Sequence, residues 1–244
     1  MSILDKIQFQ PSPNHNERVG GAADMLLLHY TGMETGEGAL ERLCDPGAQV
    51  SAHYLVFEDG RIVLMVEEEK RAWHAGVASW AGETDINSRS IGIEIVNAGH
   101  DLGYPDFPAA QIDAVMALGA DIVRRCEIAP ARVLAHSDVA PGRKADPGEK
   151  FPWGQLADAG VGHWVVPVEP IEGPVLSLGD RGDQVAELQF QLADYGYGIA
   201  VDGWFGDVTA QVVTAFQRHF RPAQVDGAAD LSTVGTLRLL RDAR

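Results

Sequence analysis

Residues 164–178 read WVVPVEPIEGPVLSL, with three prolines, two glutamates and no helical period. Each proline fixes its own φ and removes a backbone donor, so neither a helix nor a central strand can run through the segment, which predicts an extended linker. The chain is thereby divided near residue 170. Cores of roughly 100 to 150 residues are the usual domain size, so a chain of 244 residues is naturally two domains. The expected boundaries are a first domain at 1–165, a linker at 166–177 and a small domain at 178–244.

Before the linker, short β-rich runs (residues 25–30, 53–57, 61–66, 91–96 and 132–135) alternate with helical stretches. This predicts the α/β class, a mixed β-sheet flanked by helices. The clearest helix follows Pro108, where Ile112, Val115, Met116, Ile122, Val123 and Cys126 fall on one face. Glu58, Asp59 and Gly60 separate two apolar runs, and the Asp-Gly pair predicts a β-hairpin over residues 53–66. After the linker the pattern is purely helical. Val185, Leu188, Leu192 and Tyr195, then Val212, Val213, Phe216 and Phe220, then Val234, Leu237 and Leu240 predict three short helices. VDGWFGDVT precedes the second and VDGAADLST the third, an internal repeat in which a Val-Asp-Gly turn leads to an Asp or Ser able to cap the helix.

The 19 Lys and Arg against 35 Asp and Glu give a net charge of −16, which argues against sequence-independent binding to nucleic acid or anionic lipid. An anionic ligand would have to be met by local cations, for which Arg89, Arg143 and Lys144 are candidates. The first twenty residues lack a basic start followed by an apolar core, so no signal peptide is expected. No apolar run approaches the roughly 18 residues of a membrane span. Cys44 and Cys126 are far apart and outside any CxxC spacing, which favours free thiols over a single bridge.

Two histidines end apolar runs, His29 in MLLLHYT and His136 in RVLAHSD, and Asp146 follows in the Gly- and Pro-rich loop GRKADPG. Two imidazoles and one carboxylate suit zinc and leave a fourth tetrahedral position open for water, the pattern of a catalytic site. Taken singly, a histidine after a strand is more often a hydrogen-bonded core or surface residue.

Five blocks, LLLHYT, VSAHYLVFEDGRI, RAWHAGVASW, SIGIEIVN and AHSDVAPGRKADPG, occur in an order and spacing that resemble the type-2 N-acetylmuramoyl-L-alanine amidases over roughly residues 20–160. The same fold is shared by phage amidases of the T7-lysozyme kind and by peptidoglycan-recognition proteins, where a cysteine is commonly the third ligand. Asp146 in that place resembles the AmpD/AmiD-like zinc amidases instead. The resemblance implies one zinc ion held by His29, His136 and Asp146, with Glu94 of IGIEIV as general base and Lys144 as the cation that meets the developing oxyanion. Physical chemistry agrees for Glu94, because a carboxylate interrupting an apolar run costs several kcal/mol to bury without purpose. Tyr30, Trp73, His74 and Asn87 are the expected substrate contacts, aromatic faces suiting sugar rings. His53 is expected to make a structural hydrogen bond. His15, His100, His163 and His219 fit no motif.

LGDRGDQVAELQFQL followed by YGYGIAVDGWFGDVTAQVVTAFQRHF resembles the three-helix peptidoglycan-binding domain of the PG_binding_1 type, over about residues 177–240. A small stabilising or partner-binding bundle is the plainer reading of the same pattern. The expected activity is hydrolysis of the bond between N-acetylmuramic acid and L-alanine in peptidoglycan or muropeptides by a monomer, the small domain tethering it to the polymer. A non-catalytic recognition module and a zinc peptidase acting on stem-peptide bonds are the rivals. A wall-binding module favours the cell envelope or periplasm, with the cytoplasm and muropeptide recycling as the alternative.

Overall fold

The computed structural model describes residues 7–244; the first six residues, part of the stretch read above for a leader, lie outside the described residues. Six strands form the main sheet in the order β1(Gln8–Phe9), β5(Ile62–Leu64), β4(Tyr54–Val56), β7(Ser90–Ile95), β3(Met25–Tyr30), β8(Val133–Ala135). β4, β7, β3 and β8 run parallel, whereas β5 pairs antiparallel with β4, so the sheet is mixed as expected. Each of the five β-rich runs supplies one of these strands. The hairpin closes at Gly60, whose φ of 84° is open to glycine and whose missing Cβ would lie 2.8 Å from the Ala110 carbonyl oxygen. A two-stranded ribbon, β2(His15–Glu17) with β6(Lys70–Ala72), lies apart.

Side-chain alternation along the strands sorts the core into two faces. Leu26 and Leu28 of β3, Ile91, Ile93 and Ile95 of β7, and Val133 and Ala135 of β8 form one cluster with Ile112, Val115, Leu118 and Ile122. Those last four belong to the helix expected after Pro108, which runs Ala109–Cys126. The opposite face has two covers. Leu40 and Leu43, from the helix Gly36–Cys44, pack on Leu55 and Val63 at one end. At the other, Met25, Leu27 and Leu134 share a cluster with Trp80, Tyr197 and Phe216. Between the two covers, the C-terminal ends of β3 and β7 bring His29 and Glu94 opposite each other in register. Ligand sites of open α/β sheets gather at that edge.

Three helices follow the linker: Asp183–Tyr195, Asp207–Phe220 and Leu231–Asp242. The repeat seen in sequence has a matching structure. Gln189 accepts hydrogen bonds from the backbone N–H groups of Asp202 and Gly203 and donates to Thr209 Oγ1. Gln217 does the same with Asp226, Gly227 and Thr233. Each Val-Asp-Gly turn is thus fixed by a buried glutamine on the preceding helix. Capping differs between the halves: Asp230 accepts from Thr233 N–H, whereas the expected side-chain cap is missing from Asp207–Phe220, whose cap is Gly206. The proline-rich segment is extended but not free, for Val168 bonds to Thr236 and Ser232, and Leu176 bridges to Ala229. Cys44 and Cys126 are free thiols.

The last three helices dock on the first part of the chain through a buried polar contact. Asp138, fully buried, accepts from Ala135 N–H at 2.8 Å and from Tyr197 Oη at 2.7 Å, and lies 2.6 Å from His219 Nδ1. Trp153 stacks on His219 with ring centroids 3.7 Å apart. Removing one partner of a buried charged contact leaves the others unpaired, which costs about 3–5 kcal/mol, whereas loss of one neutral donor costs about 1 kcal/mol. Asp138→Ala should therefore lower the free energy of unfolding in urea by about 3–5 kcal/mol and Tyr197→Phe by about 1 kcal/mol; equal, small effects would show the contact to be dispensable.

Candidate active site

His29 is the fifth residue of β3, and its alternation turns it to the face between the two covers. His136 opens a short helix, His136–Val139, directly after β8. Asp146 returns on the following loop, which is tied down where Ser137 N–H donates to the Asp146 carbonyl and Tyr104 Oη donates to the Pro147 carbonyl. Gly148 is required there, since a Cβ would fall 2.3 Å from Tyr104 Oη.

These three elements bring three donor atoms together. His29 Nδ1 and His136 Nδ1 are 2.9 Å apart, and Asp146 Oδ2 lies 3.1 Å and 2.9 Å from them. The second nitrogen of each imidazole faces an acceptor: His136 Nε2 is 3.0 Å from the Ala75 carbonyl and His29 Nε2 is 3.0 Å from His74 Nδ1. Donation from both Nε2 atoms turns both Nδ1 lone pairs inward, the tautomer in which metal-ligating histidines are held. Two imidazole lone pairs and a carboxylate oxygen converging without a proton between the nitrogens form a donor set that fits a divalent ion such as zinc.

Electrostatics follows from burial. The His29 imidazolium is disfavoured by burial and by neighbouring His136, which takes its pKa down to about 4 despite Asp146. Burial would raise Asp146, but the charge and hydrogen bonds of His136 and His29 outweigh it and hold the carboxyl well below its ordinary range. Glu94 goes the other way: burial, then the Asp146 charge, push it well above the usual carboxylate range, with Lys144 opposing. Its Oε2 is shut off from solvent without a hydrogen-bond partner, at the floor of a cleft of about 500 Å³ lined also by Tyr30, Trp73, His136, Lys144 and Asp146.

The other expected site residues divide into two groups. Tyr30, Trp73 and Lys144 line the cleft, with Arg143 beside them. His74 lines it too, but its Nδ1 serves His29, and its ring lies on Gly92, where a Cβ would come within 2.6 Å. Asn87 does not line the cleft. It stands behind, its Oδ1 accepting from His74 N–H and Ala75 N–H, so it shapes the His74 segment from outside. Arg89, read as a possible cleft cation, is instead paired with Asp24 and Glu83 away from the cleft. Arg143 donates to the Ala75 and Val77 carbonyls and so braces the same segment. His53 has the expected structural role, Nδ1 accepting from Gly92 N–H with Nε2 3.1 Å from the Lys70 carbonyl, and burial lowers its pKa to about 3.

Sequence reasoning missed His100 and Glu149. His100 lines the cleft, with Nδ1 3.0 Å from Tyr30 Oη and Nε2 3.1 Å from Glu149 Oε2. Neither residue lies in a periodic element or a recognisable motif. The one available signal for Glu149 was its place three residues after Asp146, in the same loop.

A family model described as N-acetylmuramoyl-L-alanine amidase matches residues 19–149, and one described as putative peptidoglycan binding domain matches residues 181–237. The chain is 39% identical over 225 residues to N-acetylmuramoyl-L-alanine amidase AmiD of Escherichia coli K12, covering 86% of this chain and 79% of that protein. The solved complex of the same E. coli enzyme with the substrate anhydro-N-acetylmuramic acid-L-Ala-D-gamma-Glu-L-Lys superposes with a TM-score of 0.78 at 36% identity, covering 93% of each chain. AmpDh3 from Pseudomonas aeruginosa, solved in complex with anhydromuramic pentapeptide, gives 0.76 at 32% identity over 92% of this chain and 93% of that one. The chain belongs to the N-acetylmuramoyl-L-alanine amidase family and carries a peptidoglycan-binding domain at its C-terminal end.

Proposed function

We propose that this chain is a zinc-dependent hydrolase of the amide between N-acetylmuramic acid and L-alanine, in peptidoglycan or its muropeptide fragments. The observation that carries the reading is the convergence of His29 Nδ1, His136 Nδ1 and Asp146 Oδ2 beside Glu94, whose Oε2 is buried without a partner. Family membership supplies the bond class, and the substrate complexes of the similar enzymes support the ligand.

His29, His136 and Asp146 would hold the zinc, which when bound would supply Lewis acidity to a water, bringing its pKa to roughly 7, and to the scissile carbonyl. Glu94 accepts the proton of the attacking water at Oε2. The protonated carboxyl then delivers it to the alanine nitrogen, which cannot leave as an anion. Lys144 offsets negative charge on the carbonyl oxygen as the tetrahedral centre forms. His74 and the Ala75 carbonyl hold the two imidazoles in their ligating tautomer. Tyr30 and Trp73 give apolar faces to the sugar ring at the cleft wall. Residues 1–165 form the catalytic unit, 166–177 the linker and 178–244 the wall-binding module of a monomer. Contact with the wall favours the cell envelope; no helix among the described residues is long and apolar enough to cross a membrane.

Zinc-loaded protein incubated with purified sacculi should release new L-alanine N-termini, and glycan cleavage or a D-amino-acid terminus instead would overturn the bond assignment. His29→Ala should abolish stoichiometric zinc binding measured by metal analysis after dialysis. Glu94→Gln should keep one zinc per chain yet lower kcat by a factor on the order of 10² to 10⁴, as for a lost general base; unchanged turnover would remove Glu94 from the mechanism.

Glu94 also makes a stability prediction. Its folded pKa lies above the ordinary value of 4.5, so its contribution to stability is complete below about pH 4 and is lost as pH rises through the folded value. Without metal at neutral pH this carboxyl, whose Oε2 is shut off from solvent, is therefore a burden. Glu94→Gln should melt at a higher temperature than the parent at pH 7 with a chelator present, the difference vanishing near pH 4.

A further inference from the structure

Beside the catalytic cleft lies a second groove of about 410 Å³ between the two parts of the chain. One wall is residues 142–145, of which Arg143, Lys144 and Ala145 also line the catalytic cleft, so this loop is a wall common to both spaces. The other wall belongs to the helix Asp207–Phe220. Asp207, Ala210, Gln211, Thr214 and Arg218 line it at spacings of three and four, a single stripe of that helix. The walls are in close contact at Gly142, where a Cβ would fall 2.3 Å from the Gln211 side chain.

The charges in this groove are unevenly placed. Asp207 is eleven residues from Arg218, about 16 Å along the helix, so it marks the far end. Lys144 and Arg218 are the cations of the groove besides Arg143, which is committed to the backbone carbonyls of Ala75 and Val77. Arg218 is only loosely paired: its nearest carboxylate oxygen, Glu149 Oε2, is 3.6 Å from Nε, and that nitrogen is buried without a hydrogen-bond partner among the described residues. Glu149 is already shared with His100, whose other nitrogen meets Tyr30 in the catalytic cleft. The Arg218 side chain is 23% exposed and lines the groove, so in a chain of net charge −16 it is a local cation that an anionic ligand can reach.

We propose that this groove is a carboxylate-binding subsite, in which Arg218 holds a carboxylate of a peptidoglycan stem peptide other than the one being cut. The C-terminal module then forms a wall of the substrate site besides tethering the enzyme, and favours polymer over single muropeptides. The inference rests on the amidase reading above. Arginine suits the task because its planar fork meets a carboxylate with two parallel hydrogen bonds.

Arg218→Gln and Arg218→Lys are compared with the unsubstituted, zinc-loaded 244-residue protein on purified sacculi and on a soluble muropeptide with one tripeptide stem. Arg218→Gln should raise KM on sacculi by about tenfold or more with kcat unchanged, the loss expected for a charge-assisted Arg–carboxylate pair, while KM on the single muropeptide stays within about twofold. Arg218→Lys should recover only part of the loss, because a single ammonium keeps the charge but not the two parallel hydrogen bonds. Binding is read separately by co-sedimentation with sacculi in a Glu94→Gln background. There Arg218→Gln should weaken binding by a similar factor, and amidating the sacculus carboxylates should weaken the Arg218 protein but not Arg218→Gln.

The proposal is overturned by unchanged KM and binding in Arg218→Gln, by an equal loss on both substrates, or by indifference of the Arg218 protein to amidation. Release of L-alanine N-termini by the unsubstituted protein separates the two failures. If it is absent, the amidase reading falls; if it is present while Arg218→Gln discriminates no substrate, only the subsite falls.

Discussion

Two imidazole nitrogens and a carboxylate oxygen, held about 3 Å from one another inside the protein, are the constraint on which the rest of the structure depends. Such a cluster is unfavourable by itself, because burial strips each group of water and the nitrogens present lone pairs to each other. It persists because each ligand is fixed by backbone that has another reason to be where it is. His29 is fixed by the pairing of β3 with β7 and β8, His136 by the end of β8, and Asp146 by the loop bonded to Ser137 and Tyr104. The same strand alternation that buries Leu26 and Leu28 on one face delivers His29 to the other.

A good part of this was legible in the sequence, for definable reasons. Strand runs such as MLLLHY and the helix after Pro108 were readable because burial imposes a period of 2 or 3.6, and the strand-end histidines stood out where the period stops. The glutamine-fixed turns of the last three helices were announced by the repeated Val-Asp-Gly. What could not be read was contact between residues with no common period. His100, Glu149 and Arg218 come from a short turn, a loop and a distant helix, and only the folded chain sets them side by side. Arg89 shows the converse error: a cation in sequence is free only until its acidic partners, here Asp24 and Glu83, are known.

Asn87 and His74 mark the boundary between residues that meet a ligand and residues that hold those residues. Both lie close to the cleft in sequence pattern. Asn87 spends its carbonyl oxygen on the backbone of the His74 segment, and His74 spends a nitrogen on His29. Gly92 completes the stack by leaving room for the His74 ring. An ordinary strand residue there would displace the imidazole and, through it, the orientation of the ligand.

The contact at Asp138 has a consequence for how such chains can be rearranged. Its side chain stands two positions after His136 and is satisfied in part by the Tyr197 phenol, just beyond the helix Asp183–Tyr195, and by the His219 imidazole of the helix Asp207–Phe220. Trimming the enzyme to its first 165 residues would strand that carboxyl group at a bared surface two residues from His136. A foreign module grafted in its place would fit only if it carried an equivalent pair of donors, so shuffling of wall-binding domains onto this scaffold is limited by chemistry at the seam and not by linker length.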